Sequence, residues 1–167
     1  VQSRIRRPLE LSSLYDDLEA AGQQPATRVL RVENQEVDAE AAAALGLAEG
    51  TEVRVLERLR MTRGEPIAYL RNHLPVDVVK TEADELERTG LYRLMRGAGI
   101  TLHSARQSVG ARAASAAEAE LLEERRGAPL LTMQRTTFDD TGRVVEYGSH
   151  LYRASRYSFD FQLLVRG

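Results

Sequence analysis

Arg58 and Arg60 lie two positions apart in Glu52–Met61, a run that alternates in character. Successive side chains of a strand point to opposite faces, so both guanidiniums leave the same face. Each offers a planar fork of donors suited to a carboxylate or a phosphate. A later run, Val144–Arg153, carries Glu146 and Tyr152 at an even spacing, hence also on one face, with Gly148 and His150 between them. Glu146 can accept from a hydroxyl or an amine and Tyr152 can donate. Gly148 leaves room beside the sheet for a ligand. The plain alternative for both groups is a solvent-facing strand in an arginine-rich chain, where Lys80 is the only lysine. Tyr92, just after Gly90 at a helix start, points to a pocket or to the core, and Tyr15 is ambiguous in the same way.

Other chemistries have less support. There is no cysteine, which removes disulfides, thiolate metal sites and cysteine nucleophiles. His73, His103 and His150 are scattered without a ligand-pair spacing, so no metal is expected. No Gly-x-Ser-x-Gly elbow, Walker sequence or Gly-x-Gly-x-x-Gly turn occurs, and no cofactor is expected. Glu57 and Glu146 are isolated carboxylates, a weak basis for acid–base catalysis. The formal charge of −2 argues against this segment gripping a nucleic-acid backbone. With 167 residues, 43% hydrophobic and 29% charged, the chain reads as one soluble domain able to bury a core. No apolar run approaches the ~20 residues that span a bilayer. The chain begins without methionine, which suggests a piece of something longer.

The elements that must position these residues follow from periodicity and punctuation. Leu11–Ala21 reads as a helix and Thr27–Val37 as a strand. Asp38 caps an Ala-rich helix that Gly46 ends. Glu52–Met61 and Pro66–Leu74 form a hairpin around Thr62–Gly64. A helical excursion over Pro75–Arg88, a helix at Leu91–Arg96 and a polar strand at Ile100–Arg112 come next. A second Ala-rich helix, Ala114–Leu122, precedes strands at Leu130–Phe138, Val144–Arg153 and Tyr157–Val165. The helix–strand–hairpin unit therefore occurs twice, at an offset of roughly 76 to 78 positions. Coincidence of two ordinary hairpins is the alternative. The fold class is α+β with a mostly antiparallel sheet, and the repeat suggests a pseudo-symmetric one.

The order of short motifs carries a resemblance. Leu45-Gly46-Leu47, Gly50-Thr51-Glu52-Val53, Glu57-Arg58-Leu59-Arg60, Gly64-Glu65-Pro66-Ile67-Ala68 and Leu74-Pro75 come first. Gly90-Leu91-Tyr92 with Leu94-Met95, Pro129-Leu130-Leu131, Gly142 with Val144-Val145-Glu146-Tyr147, and Tyr152-Arg153 with Arg156-Tyr157 and Phe159 follow. Together they resemble the UTRA domain, the effector-binding and dimerisation domain of HutC-type GntR transcription regulators. The resemblance implies a chorismate-lyase-like fold, an about six-stranded antiparallel sheet flanked by helices. It implies a cytoplasmic homodimeric repressor-type sensor rather than an enzyme, with a small anionic effector. DNA would be touched only through a winged helix-turn-helix domain absent from this chain. Residues 1–10 would end the interdomain linker, and 11–167 would form the UTRA domain.

Position by position, the family's effector contacts match Arg58, Arg60, Tyr92, Glu146 and Tyr152, with the region of Leu14 and Tyr15, and His150 lies among them. Gly90, Tyr15 and Leu70 depart from the pattern of amino-sugar-phosphate sensors, which have two hydroxyl residues and a glutamate there. A buried phosphosugar would leave polar groups unpaired against such residues. The implied ligand is anionic but smaller or more apolar. Two other functions fit the same resemblance: a chorismate-lyase-like enzyme, and a dimerisation module with a degenerate pocket.

Overall fold

The computed structural model describes residues 14–161, 163 and 165. The expected linker and the first residues of the Leu11–Ala21 helix lie outside them. Five short helices and six strands follow in chain order: α1 (Leu14–Ala20), β1 (Pro25–Glu36), α2 (Ala39–Leu45), β2 (Glu52–Thr62), β3 (Glu65–Pro75), α3 (Ala83–Arg88), α4 (Leu91–Gly97), β4 (Leu102–Ala113), α5 (Ala116–Leu121), β5 (Pro129–Asp139) and β6 (Val144–Arg153).

The strands form one antiparallel sheet in the order β1-β2-β3-β6-β5-β4. The two repeats, β1–α2–β2–β3 and β4–α5–β5–β6, meet at the β3–β6 seam, so the order runs inward from both edges. Their local chemistry matches too. Asp38 caps α2 by accepting from the Ala41 amide, and Ser115 caps α5 by accepting from the Glu118 amide, closed by Glu118 as a capping box. Both units pass through a left-handed glycine before the hairpin, Gly50 and Gly127.

The sheet separates two layers. α2 and α5 cover one face, through Ala41, Ala42 and Leu45 against Val53 and Val55, and Ala119 and Leu122 against Leu59 and Leu151. The opposite face carries α1, which seats Leu14 and Leu18 against Ala68, Leu70, Met133 and Tyr152. α3 and α4 lie there as well, with Leu86, Leu91, Tyr92 and Met95 around Leu56 and Leu74.

Three expectations need correction. The described residues of Tyr157–Val165 do not form the expected strand: apart from an isolated bridge at Tyr157 they are irregular, and residues 162 and 164 lie outside the described ones. β6 already lies between β3 and β5, so no slot beside it is open to a following strand. The alternating aromatics stack instead, Tyr157 at 4.4 Å from Tyr152 and Phe159 edge-on to both. Within Pro75–Arg88 only Ala83–Arg88 is helical. The arginine-bearing face of β2 is not solvent-facing, since Arg58 and Arg60 are 3% and 2% exposed.

Candidate functional site

Strand register brings the site together. Residues directly opposite one another share a face, so Arg58 lines up with Leu70 on β3, His150 on β6 and Met133 on β5. The next rows are Arg60–Ala68–Tyr152–Leu131 and Leu56–Asn72–Gly148–Arg135. Tyr92 descends onto this face from the first turn of α4, and Leu14 from α1. One cavity is lined by Leu14, Arg58, Arg60, Tyr92, Glu146, His150 and Tyr152, all expected from the sequence. Arg135, Asn72, Leu70, Leu91 and Met133 complete its wall. About 40 Å³ of it admits a water-sized sphere, room for a few waters at most. Tyr15 does not line the cavity; its ring stacks on the Arg60 guanidinium, 5.1 Å from centroid to Cζ.

The polar groups form a chain of hydrogen bonds across the sheet. Arg58 donates to Asn72 Oδ1 at 2.7 Å, and Asn72 Nδ2 donates to Glu146 Oε1 at 2.6 Å. The other Glu146 oxygen accepts from the Thr137 hydroxyl at 3.0 Å. Arg135 donates to Tyr92 at 3.0 Å, while its Nε and Nη2 both reach Gln107 Oε1 on β4. Arg60 donates to the Thr27 hydroxyl. The Nε–H groups of Arg58 and Arg60 are buried without a hydrogen-bond partner.

The electrostatics are lopsided. Three guanidiniums and one carboxylate face one small cavity, and among the described residues no ion pair within 4 Å joins Arg58 or Arg60 to an acid. Burial pushes Arg58 down to about 10, partly offset by Glu146. It pushes Arg60 down to about 9, with Arg58 adding repulsion. Both remain charged at neutral pH. Burial opposes the charge on Arg135, but Tyr92 and Glu146 outweigh it and raise its affinity for the proton. Burial, helped by Glu146, raises Tyr92 to about 12, so it remains a neutral donor. A buried charge without a counter-charge is costly, and an anion placed here would relieve that cost.

Arg135, Asn72 and Gln107 were not anticipated. The signal for Arg135 was available: it stands at the repeat's offset from Arg58, so the two guanidiniums occupy equivalent positions of β2 and β5. The room expected beside Gly148 is already filled. A Cβ there would stand 2.7 Å from His150 Nε2 and 3.2 Å from Glu146 Oε1. The glycine makes space for these two side chains to lean over the sheet.

Comparison with known proteins assigns the fold and the family. The model of the UTRA domain matches residues 20–158. The chain is 27% identical over 150 residues to the HTH-type transcriptional repressor NagR of Bacillus subtilis, a match covering 89% of this chain and 62% of that protein. A crystal structure described as a transcriptional regulator from Streptomyces coelicolor is 66% identical, with a TM-score of 0.82, covering 86% of this chain and 96% of that one. The effector domain of PhnF from Mycobacterium smegmatis superimposes with a TM-score of 0.88 at 24% identity, covering 96% of this chain and all of that one. With that domain model matched over most of its length, this chain belongs to the UTRA domain family of HutC-type GntR transcription regulators.

Proposed function

We propose that this chain is the effector-sensing and dimerisation domain of a bacterial, cytoplasmic transcription regulator, not an enzyme. Its ligand is a small anion held in the cavity of Arg58, Arg60 and Arg135. The observation that carries this reading is that the buried guanidiniums of Arg58 and Arg60 make no ion pair with an acid among the described residues. Guanidinium forks from β2 and β5 suit a carboxylate, a phosphate or a phosphonate. Tyr92 and Asn72 add neutral polar contacts beside Glu146, His150 and Tyr152, and Leu14, Leu70, Leu91 and Met133 supply the apolar part of the wall. That wall and the small free volume favour a ligand smaller or more apolar than an amino-sugar phosphate.

Leu14 and Tyr15 supply the route outward. Both lie in the first turn of α1, directly after residues 1–13, where the linker to a winged helix-turn-helix domain would arrive. Arg93 of α4 ties α1 down through Asp16 at 2.9 Å and Glu19 at 3.3 Å. An anion that draws Arg60 inward shifts the ring of Tyr15 with it, and so the seat of α1. Such a ligand changes DNA binding only if it binds the two seats of α1 with different affinity.

The test is mass spectrometry of small molecules that co-purify with the chain, followed by anisotropy of operator DNA with the longer regulator. An anionic metabolite that alters DNA binding supports the reading. An Arg58→Ala regulator that responds to it unchanged would remove this cavity from the mechanism.

A further inference from the structure

The internal repeat runs a pseudo-two-fold axis through the cavity. The offset that carries Gly64 onto Gly142 also carries Arg71 onto Ser149, and these two are directly opposed across the β3–β6 seam. The axis therefore passes between them. On the cavity face it runs among the residues on either side of that pair, Leu70, Asn72, Gly148 and His150. The offset that carries Gly50 onto Gly127 carries Arg58 onto Arg135. Arg58 stands opposite Leu70 across β2–β3, and Arg135 stands opposite Gly148, the matching position, across β5–β6. The two arginines are thus mates about the axis, on strands three spacings apart, or about 14 Å.

Side chains between them keep the two ends apart. From Arg58 a relay of hydrogen bonds runs through Asn72 to Glu146, on to Thr137 and Tyr92, and so to Arg135. One carboxylate or one phosphate is too small to span that relay and touch both guanidiniums. Neutral side chains aim them: Asn72 accepts from Arg58, Thr27 from Arg60, and Gln107 from both Nε and Nη2 of Arg135. The ends are also unlike. Arg60 lies beside Arg58 on β2, whereas the same offset puts Thr137 beside Arg135 on β5, where the Tyr92 hydroxyl joins it. Three guanidiniums and the Glu146 carboxylate leave the lining with two formal positive charges, which a doubly negative ligand balances.

We propose that the effector carries two anionic groups at opposite ends of a short chain, one held by Arg58 and Arg60 and the other by Arg135 with Tyr92. This deepens the anion-sensing reading above and rests on it. The small free volume favours a thin chain over a ring, so a linear dicarboxylate is the matching class. Inorganic phosphate, with all its charge in one place, occupies one end only.

The experiment is calorimetric titration of the whole chain with succinate, glutarate and adipate, beside butyrate, inorganic phosphate and a phosphosugar as probes with a single anionic end. One dicarboxylate binds at least 10-fold tighter than any single-ended probe. Arg58→Ala and Arg135→Ala each weaken that dicarboxylate at least 100-fold, while Arg135→Ala weakens phosphate less than 10-fold, because phosphate sits at the double-arginine end. The probe series on the wild type needs no substitution, so it decides where circular dichroism shows that a variant fails to fold. A single-ended probe that binds as tightly as every dicarboxylate overturns the two-ended site and leaves an anion site standing. Equal losses of phosphate and dicarboxylate in a folded Arg135→Ala chain do the same. Binding of none of the probes overturns both readings.

Discussion

Arg58 and Glu146, the opposite charges at the centre of the cavity, are joined through a third side chain rather than to each other. The Asn72 amide accepts from the guanidinium at 2.7 Å and donates to the carboxylate at 2.6 Å. A direct ion pair would have neutralised Arg58, and the interposed amide leaves its charge available to a ligand.

Asn72 can be tested by changing its charge rather than its size. Asn72→Asp sets a carboxylate against Arg58 and repels Glu146, so anion affinity falls at least 10-fold by calorimetry. Asn72→Leu strands buried polar atoms and costs about 1–3 kcal/mol of stability, measured by urea denaturation. Wild-type affinity in Asn72→Asp would show that Arg58 is not a ligand contact.

Gly148 is the second position. In Gly148→Ala the new methyl cannot coexist with His150 Nε2 at 2.7 Å, so the imidazole must swing away. The expected cost is about 1–3 kcal/mol, as for other overpacked sites, with at least 10-fold weaker anion binding. His150→Ala in the same chain restores the stability but not the binding. A Gly148→Ala protein that melts and binds like wild type would contradict the packing described.

α1 is a seven-residue helix, too short to persist without tertiary anchors. Arg93→Ala removes its ties to Asp16 and Glu19. Those are exposed pairs worth about 0–1 kcal/mol, so the global melting temperature barely moves. Hydrogen exchange of the Leu14–Ala20 amides accelerates selectively. Equal protection in both proteins would show that α1 is seated by its apolar contacts alone.

His73 predicts an acid limb of stability. It is 2% exposed, beside Asp38 at 3.6 Å, and burial followed by repulsion from Arg71 lowers its pKa below 6.5 despite Asp38. The unfolded chain then binds more protons than the folded one below 6.5. This contribution is present above pH 6.5 and is lost as pH falls toward the depressed folded pKa. The slope reaches at most about 1.4 kcal/mol per pH unit for one proton. His73→Leu flattens that limb below pH 6.5 in melting experiments, and an unchanged slope would assign it to other groups.

Much of this was legible because strand geometry is local. The two-residue step from Arg58 to Arg60, the even step from Glu146 to Tyr152 and the capped Ala-rich helices fix faces and element order without knowledge of the partner strands. Which faces meet depends on register across the seam, and Asn72 acquires its role only because β3 lies next to β6. Arg135 is marked only by the repeat, since an arginine in this chain carries little information by itself. The alternation over Tyr157–Val165 predicts a strand because periodicity reports where apolar side chains can point. Whether a slot in the sheet is free is a property of topology.

Calorimetric titration of the purified chain with inorganic phosphate, small dicarboxylates and phosphosugars tests the central claim most directly, run beside Arg58→Ala and Arg135→Ala. At least one anion should bind the wild type with micromolar or tighter affinity, and both folded variants should lose it at least 100-fold. Undiminished binding in the variants would contradict an anion-sensing role for this cavity, and tightest binding of an amino-sugar phosphate would contradict the smaller ligand proposed.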